Sequence, residues 1–236
     1  MRFALEGEHI VMREAMIDGP LLPEINTEFE QMRAEFLAEA YPHVPHNYQS
    51  VVAAEWHRLL NAKADRIYFW FDADAFCQVN FLFWLEWLYQ HPDFYIGRSV
   101  FYIRPQPEDF TEMSPADYFG CFNDAAPLGP ALLGPAHGCW QALAMGDFEG
   151  LEIALKAVPR NHHALRNALS WYLKNYRPDP KTGHPTLAVE LAKYFERNPQ
   201  IAAFSKEEKF RVFSQQHKRA GLGDLQFWRL IGEVFK

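Results

Sequence analysis

The sequence predicts an α/β fold: a Rossmann-like, mostly parallel sheet in the N-terminal half and an all-helical C-terminal half. Three observations carry this. Residues 67–71 are an unbroken apolar and aromatic run with a β-branched start, the pattern of a strand covered on both faces. The run stops at Asp72, and over residues 75–89 no Gly or Pro interrupts apolar side chains that go almost all the way round at helical spacing, which marks a buried helix. Over residues 114–235, helical spacing alternates with Pro and Gly punctuation and no convincing strand is seen. The predicted division is an α/β domain over residues 1–107 and a helical domain over residues 112–236 packed on it.

Taken in order, residues 9–13 (His-Ile-Val-Met-Arg) have a strand-like apolar centre, and Asp18-Gly19-Pro20 is a turn signal, because Gly permits positive φ and Pro forces its predecessor out of the helical region. Arg13, Glu14 and Asp18 then sit at or just after a strand end. If that strand lies parallel to residues 67–71, they face the same crevice as Asp72 and Asp74. Residues 26–40 read as a helix with Phe29, Met32, Arg33, Phe36 and Leu37 on one buried face, capped by Asn26 or Thr27. Residues 41–46 hold two prolines and form a loop, whose His43 and His46 read as exposed rather than metal-binding. Residues 48–62 form a helix around Val51, Val52, Trp56, Leu59 and Leu60, leading into the strand at 67–71. His91-Pro92-Asp93 ends the buried helix, and residues 94–104 are the next strand, broken at Gly97, with Pro105-Gln106-Pro107 closing it. Ser114-Pro115 opens a helix with Pro at its first position. Residues 126–135 are too rich in Gly and Pro to be regular. Helices follow at 136–145, 148–158, 162–175, 186–197, 206–220 and 223–235.

With 236 residues, 49% apolar and 16% aromatic, the chain builds a substantial core and is no disordered tail. No apolar run approaches the roughly 20 residues of a membrane span, and the start lacks the apolar centre of a signal peptide, so the expected location is cytoplasmic, without a membrane partner. Cys77, Cys121 and Cys139 are too few and too irregularly spaced for a disulfide framework or a thiolate metal site, and Cys77 is expected to pack as a small apolar group. Residues 156–236 carry 15 Lys and Arg against 7 Asp and Glu, whereas residues 1–155 carry 8 against 23. An acidic front and a basic back imply either two functional surfaces or two halves that attract each other.

Four motifs in this order carry a resemblance: Arg13-Glu14-Ala15-Met16-Ile17-Asp18-Gly19-Pro20, then Trp70-Phe71-Asp72-Ala73-Asp74-Ala75-Phe76-Cys77-Gln78-Val79-Asn80, then Trp140 opening a helix, then Gly223-Asp224-Leu225-Gln226-Phe227-Trp228. Together they resemble the bacterial "domain of unknown function eighteen-thirty-five" family. The resemblance implies an α/β front with a helical back and brings no established activity. Members of that family begin with a further strand and a Gly-containing loop before the Asp-Gly-Pro segment. Here only about eight residues precede the first expected strand, so a phosphate-cradling loop is not carried over.

The candidate site is the polar cluster at the predicted strand ends: Arg13, Glu14, Asp18, Asp72, Asp74, Gln78 and Asn80. One of Asp72 and Asp74 is expected to cap the buried helix, its carboxylate accepting free N–H groups and complementing the dipole. The other points into the crevice, where it would bind a divalent cation, a ribose hydroxyl or an amine, or act as a general base. A helix start occupied by carboxylates is a poor phosphate site, which counts against a simple dinucleotide fold. Gln78 and Asn80 either tie loops together or touch a ligand. Arg13 and Arg33 are expected to pair with local carboxylates. His162 and His163 read as capping and solvent-exposed, and Asp224 as an N-cap. The chain has no Gly-x-Ser-x-Gly elbow, Walker loop, His-Glu-x-x-His or paired Cys motif, and no motif names a cofactor. Two functions fit: a small polar ligand, nucleotide-like or metal-assisted, bound around Asp72 and Asp74; or an interaction module whose basic back (Lys206, Lys209, Arg211, Lys218, Arg219) meets an acidic protein, nucleic acid being the less favoured partner. The oligomeric state is left open.

Overall fold

The computed structural model describes residues 7–42, 47–104 and 113–232. His43, His46 and the Pro105-Gln106-Pro107 segment lie outside the described residues.

Helix α3 (Ala75–Gln90) is the centre of the molecule, as its all-round apolar sequence requires. It packs against α5 (Pro130–Ala144) and α7 (His163–Tyr176). On another side Trp84 meets Trp56 of α2 (Ala54–Asn61) edge-on, with ring centroids 6.4 Å apart. Phe81, Leu82, Phe83 and Leu85 are essentially inaccessible, each worth about 1.5–3 kcal/mol by removal from water. One apolar cluster joins Phe29 of α1 (Thr27–Ala40), α3, Trp140 of α5, Leu169 of α7 and Phe227 near the chain end.

Strand β1 (Arg66–Trp70) runs parallel to β2 (Ser99–Ile103), with Arg66 opposite Ser99 and Trp70 opposite Ile103. Alternation along β1 sends Ile67 and Phe69 to the main core, while Tyr68 and Trp70 pack on the other face with Phe122 of α4 (Pro115–Asn123). The run is therefore apolar throughout because both faces are covered.

The Rossmann-like α/β expectation is overturned. Helices hold 63% of the residues and strands 7%, and the sheet has three strands in the order β1-β2-β3, with β3 (Ala126–Pro127) antiparallel to β2. Residues 9–13 belong to no sheet. Val11 is 48% exposed and its N–H donates to Glu55 at 3.2 Å. An apolar centre favours an extended chain, but a strand exists only where a second chain segment meets its hydrogen bonds. Among the described residues β1 is paired on one side only. The β1–α3–β2 unit is the parallel part of the sheet.

The Gly- and Pro-rich stretch at 126–135 is also more regular than expected. It supplies β3, and α5 begins at Pro130, with the fixed φ of proline suiting the first helical position. Pro135 lies inside the helix and forfeits one backbone hydrogen bond, which burial of Leu132, Leu133 and Ala136 around it offsets.

The remaining helices are α6 (Phe148–Ala157), α8 (Thr186–Arg197), α9 (Pro199–Ala202), α10 (Lys206–Gln216) and α11 (Asp224–Gly232). Asn26 caps α1 by accepting from Glu28 N at 2.9 Å and Phe29 N at 3.1 Å, and Ser114 closes a capping box with Asp117 on α4. No helix among the described residues is long and apolar enough to cross a membrane.

Candidate functional site

The predicted polar residues divide between two places. The first is the irregular segment before α1. Arg33, fully buried on α1, uses all five of its donors: Nε and Nη2 reach the two oxygens of Glu14 at 2.8 Å each, Nη1 reaches the carbonyls of Asp18 at 2.7 Å and Pro20 at 3.0 Å, and Nη2 also reaches Ala15 O at 3.1 Å. Glu14 also accepts from Tyr48 and from the Ala15 amide. Asn80 on α3 holds the same segment, donating to Glu14 O at 2.7 Å and accepting from Met16 N at 2.9 Å. These bonds supply the partners that an irregular buried backbone needs. Glu14, Asn80 and Arg33 thus build the segment. Asp18 is taken up by Arg229 of α11 and by Tyr41, and Arg13 is exposed.

The second place is where β1 and β2 end. Asp74 is the N-cap of α3, its Oδ1 accepting from Cys77 N at 2.7 Å. Asp72, Asp74 and Cys77 are all half-buried, and one polar atom of each lies within 4.8 Å of the others. Cys77 also packs against the main apolar core, as expected of a small apolar group. Burial, followed by the charges of Asp74 and Asp72, drives its thiol well above the ordinary value and keeps it protonated.

Beneath this cluster Gln78 is inaccessible to solvent. Its Nε2 faces the carbonyls of Asp72 at 2.7 Å and Phe71 at 3.5 Å, which fixes the orientation of the carboxamide, and it also donates to the Tyr102 hydroxyl at 3.2 Å. Gln78 Oε1 has no hydrogen-bond partner among the described residues. Tyr102, on β2, is 2% exposed, and burial pushes its hydroxyl well above the ordinary tyrosine value. The ring of His162 lies 6.2 Å from that of Tyr102, and His162 Nδ1 is the second buried polar atom here without a partner. Burial, then Arg104 and His163, hold the His162 imidazole below its ordinary value, so it is neutral at pH 7. Its burial, at 7% exposure, corrects the solvent-exposed reading of His162, whereas His163 is exposed as expected.

Chain segments from the C-terminal half wall this place. Gly221 has φ of 65° and comes so close to Asp74 that a Cβ there would stand 2.1 Å from Asp74 Oδ1. Next to the acidic turn a small hollow of about 10 Å³ is lined by Ala73, by Ala164, Asn167, Ala168 and Trp171 of α7, and by Arg219.

Sequence reasoning assembled Asp72, Asp74 and Gln78 and missed Tyr102, Arg104 and His162. A signal for the first two existed: if β2 runs parallel to β1, the residues ending β2 share the crevice with Asp72. His162 gave no such signal, because the packing of α7 against α3 decides its burial.

No family model matches the chain, and no solved structure matches it. A partial match is to a 5-methyltetrahydropteroyltriglutamate–homocysteine methyltransferase of Flavobacterium johnsoniae, 31% identical over 71 residues. It covers 28% of this chain and 9% of that protein's length, too little to carry a family or an activity across.

Proposed function

We propose that the ends of β1 and β2 bind a small polar ligand, with no reaction assigned. The observation that carries this is the pair of buried polar atoms without partners, Gln78 Oε1 and His162 Nδ1, both beside Tyr102. A buried unpaired polar atom costs about 1–3 kcal/mol, and two in one place suit a surface whose partner is a ligand. The chemistry on offer is an amide acceptor, a phenol hydroxyl, a neutral imidazole, the Arg104 cation and two carboxylates, which fits a molecule with hydroxyl and amine groups. Phosphate is disfavoured at the α3 start, where the Asp74 carboxylate already fills the cap.

The basic-back reading has less support. Lys206 lies over the Trp228 ring at 5.7 Å and Lys209 over Phe195 at 6.0 Å, so these cations already have aromatic faces within the chain.

A thermal-shift screen of nucleosides, sugars, amino acids and polyamines tests the proposal, run on the wild type and on Gln78→Met and His162→Phe. A ligand at a hundred times its Kd adds about 2.7 kcal/mol of stability. The expected result is a rise in Tm with one class, lost in both variants. No rise with any class, together with variants more stable than the wild type, would mean the two atoms are only a structural liability.

A further inference from the structure

Helix α3 carries a buried carboxylate away from both polar clusters, Glu86. It lies roughly two turns along the helix from Gln78, and its side chain is fully buried. Three side chains donate to it: Gln90 Nε2 at 2.6 Å and Gln141 Nε2 at 3.0 Å to Oε1, and His137 Nδ1 at 2.9 Å to Oε2. The two carboxamides are neutral. Among the described residues, His137 is the partner of Glu86 that can carry positive charge.

We propose that His137 Nε2 is a modification site, a phosphoryl acceptor for small acyl phosphates. Nδ1 faces the carboxylate oxygens and carries the proton, which leaves the Nε2 lone pair without a partner among the described residues. The ring is held from a second side by stacking on Tyr89, with centroids 4.1 Å apart and 13° between the planes. The His137 side chain is 34% exposed, so a solute can reach it. Helical side chains lean toward the preceding turn, and there Gly134 is exposed, with nothing within 4 Å of where a Cβ would stand.

In the reaction Nε2 attacks phosphorus, the P–O bond to the acyl group breaks, and the carboxylate leaves with the electron pair. The ring keeps its Nδ1 proton and gains a positive charge, which Glu86 meets through the existing hydrogen bond. Modification thus gives the buried carboxylate a cation that its amide partners do not supply. Phosphoryl transfer asks chiefly for a positioned nucleophile, whereas acyl transfer asks for donors to an oxyanion. His137 sits in mid-helix, where backbone N–H groups are engaged in the helix's own bonds.

The test incubates full-length protein with acetyl phosphate. Intact mass counts the phosphoryl groups, peptide mass spectrometry at neutral pH locates them, and phosphorus NMR identifies the labelled nitrogen. One acid-labile, alkali-stable group on His137 Nε2 is expected, formed about tenfold faster than on any other histidine. That advantage should vanish in urea-unfolded protein, and His137→Asn should lose the label. Glu86→Gln keeps the shape and the acceptor but not the charge; with folding checked by circular dichroism, it should label His137 about fivefold more slowly and leave the background on exposed His163 unchanged. Labelling of His137 no faster than of the other histidines, or attachment at Nδ1, overturns the proposal. Equal rates in wild type and folded Glu86→Gln overturn it as well.

Discussion

Arg229 on the last helix holds both carboxylate oxygens of Asp18, 211 positions earlier, through Nε at 2.9 and 2.8 Å and through Nη2. Its guanidinium also lies over the Phe36 ring at 5.0 Å, and Arg33 lies over the same ring at 5.1 Å. The acidic front and basic back therefore meet here as an ion pair inside the molecule. Gly19 allows the approach: its φ is 83°, and a Cβ would stand 2.3 Å from Phe36. The Asp-Gly-Pro turn thus serves to seat an aromatic ring between two arginines.

The Arg229–Asp18 pair is half-buried, with side chains 32% and 12% exposed, which puts its worth between a surface pair and a buried one. Arg229→Met and Asp18→Asn are each expected to destabilise by about 1–3 kcal/mol. In a double-mutant cycle read by urea unfolding, the double variant should cost clearly less than the two singles together. Strict additivity would show that the pair carries no coupling.

Arg33→Met should be far more damaging. It strands the Glu14 carboxylate in a place with no solvent access and removes the donors to three backbone carbonyls. A loss of about 3–5 kcal/mol is expected. Arg33→Met combined with Glu14→Gln should recover part of it, because the unpaired buried charge is gone while the carbonyls stay unsatisfied. Unfolding midpoints of the two variants decide the point, and equal midpoints would show that the stranded charge is not the cause.

Much of this was legible in residues. An apolar helix uninterrupted from Ala75 to Tyr89 has nowhere to go but the centre, and Asn26, Asp74 and Ser114 announce their helices by local chemistry that needs no knowledge of the rest. What failed was nonlocal. The run at 9–13 looks like a strand, yet pairing depends on a partner that its own sequence does not specify. Pro130 looked like a breaker, although at a first helical position its missing N–H has nothing to bond. At the site, Glu14 and Asp72 looked alike as acidic residues near strand ends. The five-donor geometry of Arg33 distinguishes them, and that depends on α1 crossing the segment before it.

Gly221→Ala should reach the strand-end site from the opposite half of the chain. The left-handed backbone costs a side chain about 1–2 kcal/mol, and the new methyl must displace the Asp74 carboxylate that caps α3, adding about 1 kcal/mol. A drop of about 2–3 kcal/mol is expected, with weaker ligand binding measured on the folded fraction. Gly183→Ala is the control: its φ of 73° is similar and nothing lies within 4 Å of the added methyl, so it should show the backbone cost alone.

Acid should weaken the fold through His162. Its native value is lowered, by burial first and then by Arg104 and His163, so the unfolded chain binds the proton more readily than the native one. Stability from this group is full above the unfolded imidazole value near 6.5 and is lost as pH falls below it toward the lowered native value. His217, also lowered, adds a change of the same sign. Unfolding midpoints at pH 7.5 and 5.5 should therefore fall in the wild type and fall less in His162→Asn, which has no imidazole to charge. The difference between the two slopes isolates His162 from the other histidines. Equal slopes would mean the imidazole is hydrated in the native state, and the buried atom that motivates the ligand site would then have a solvent partner.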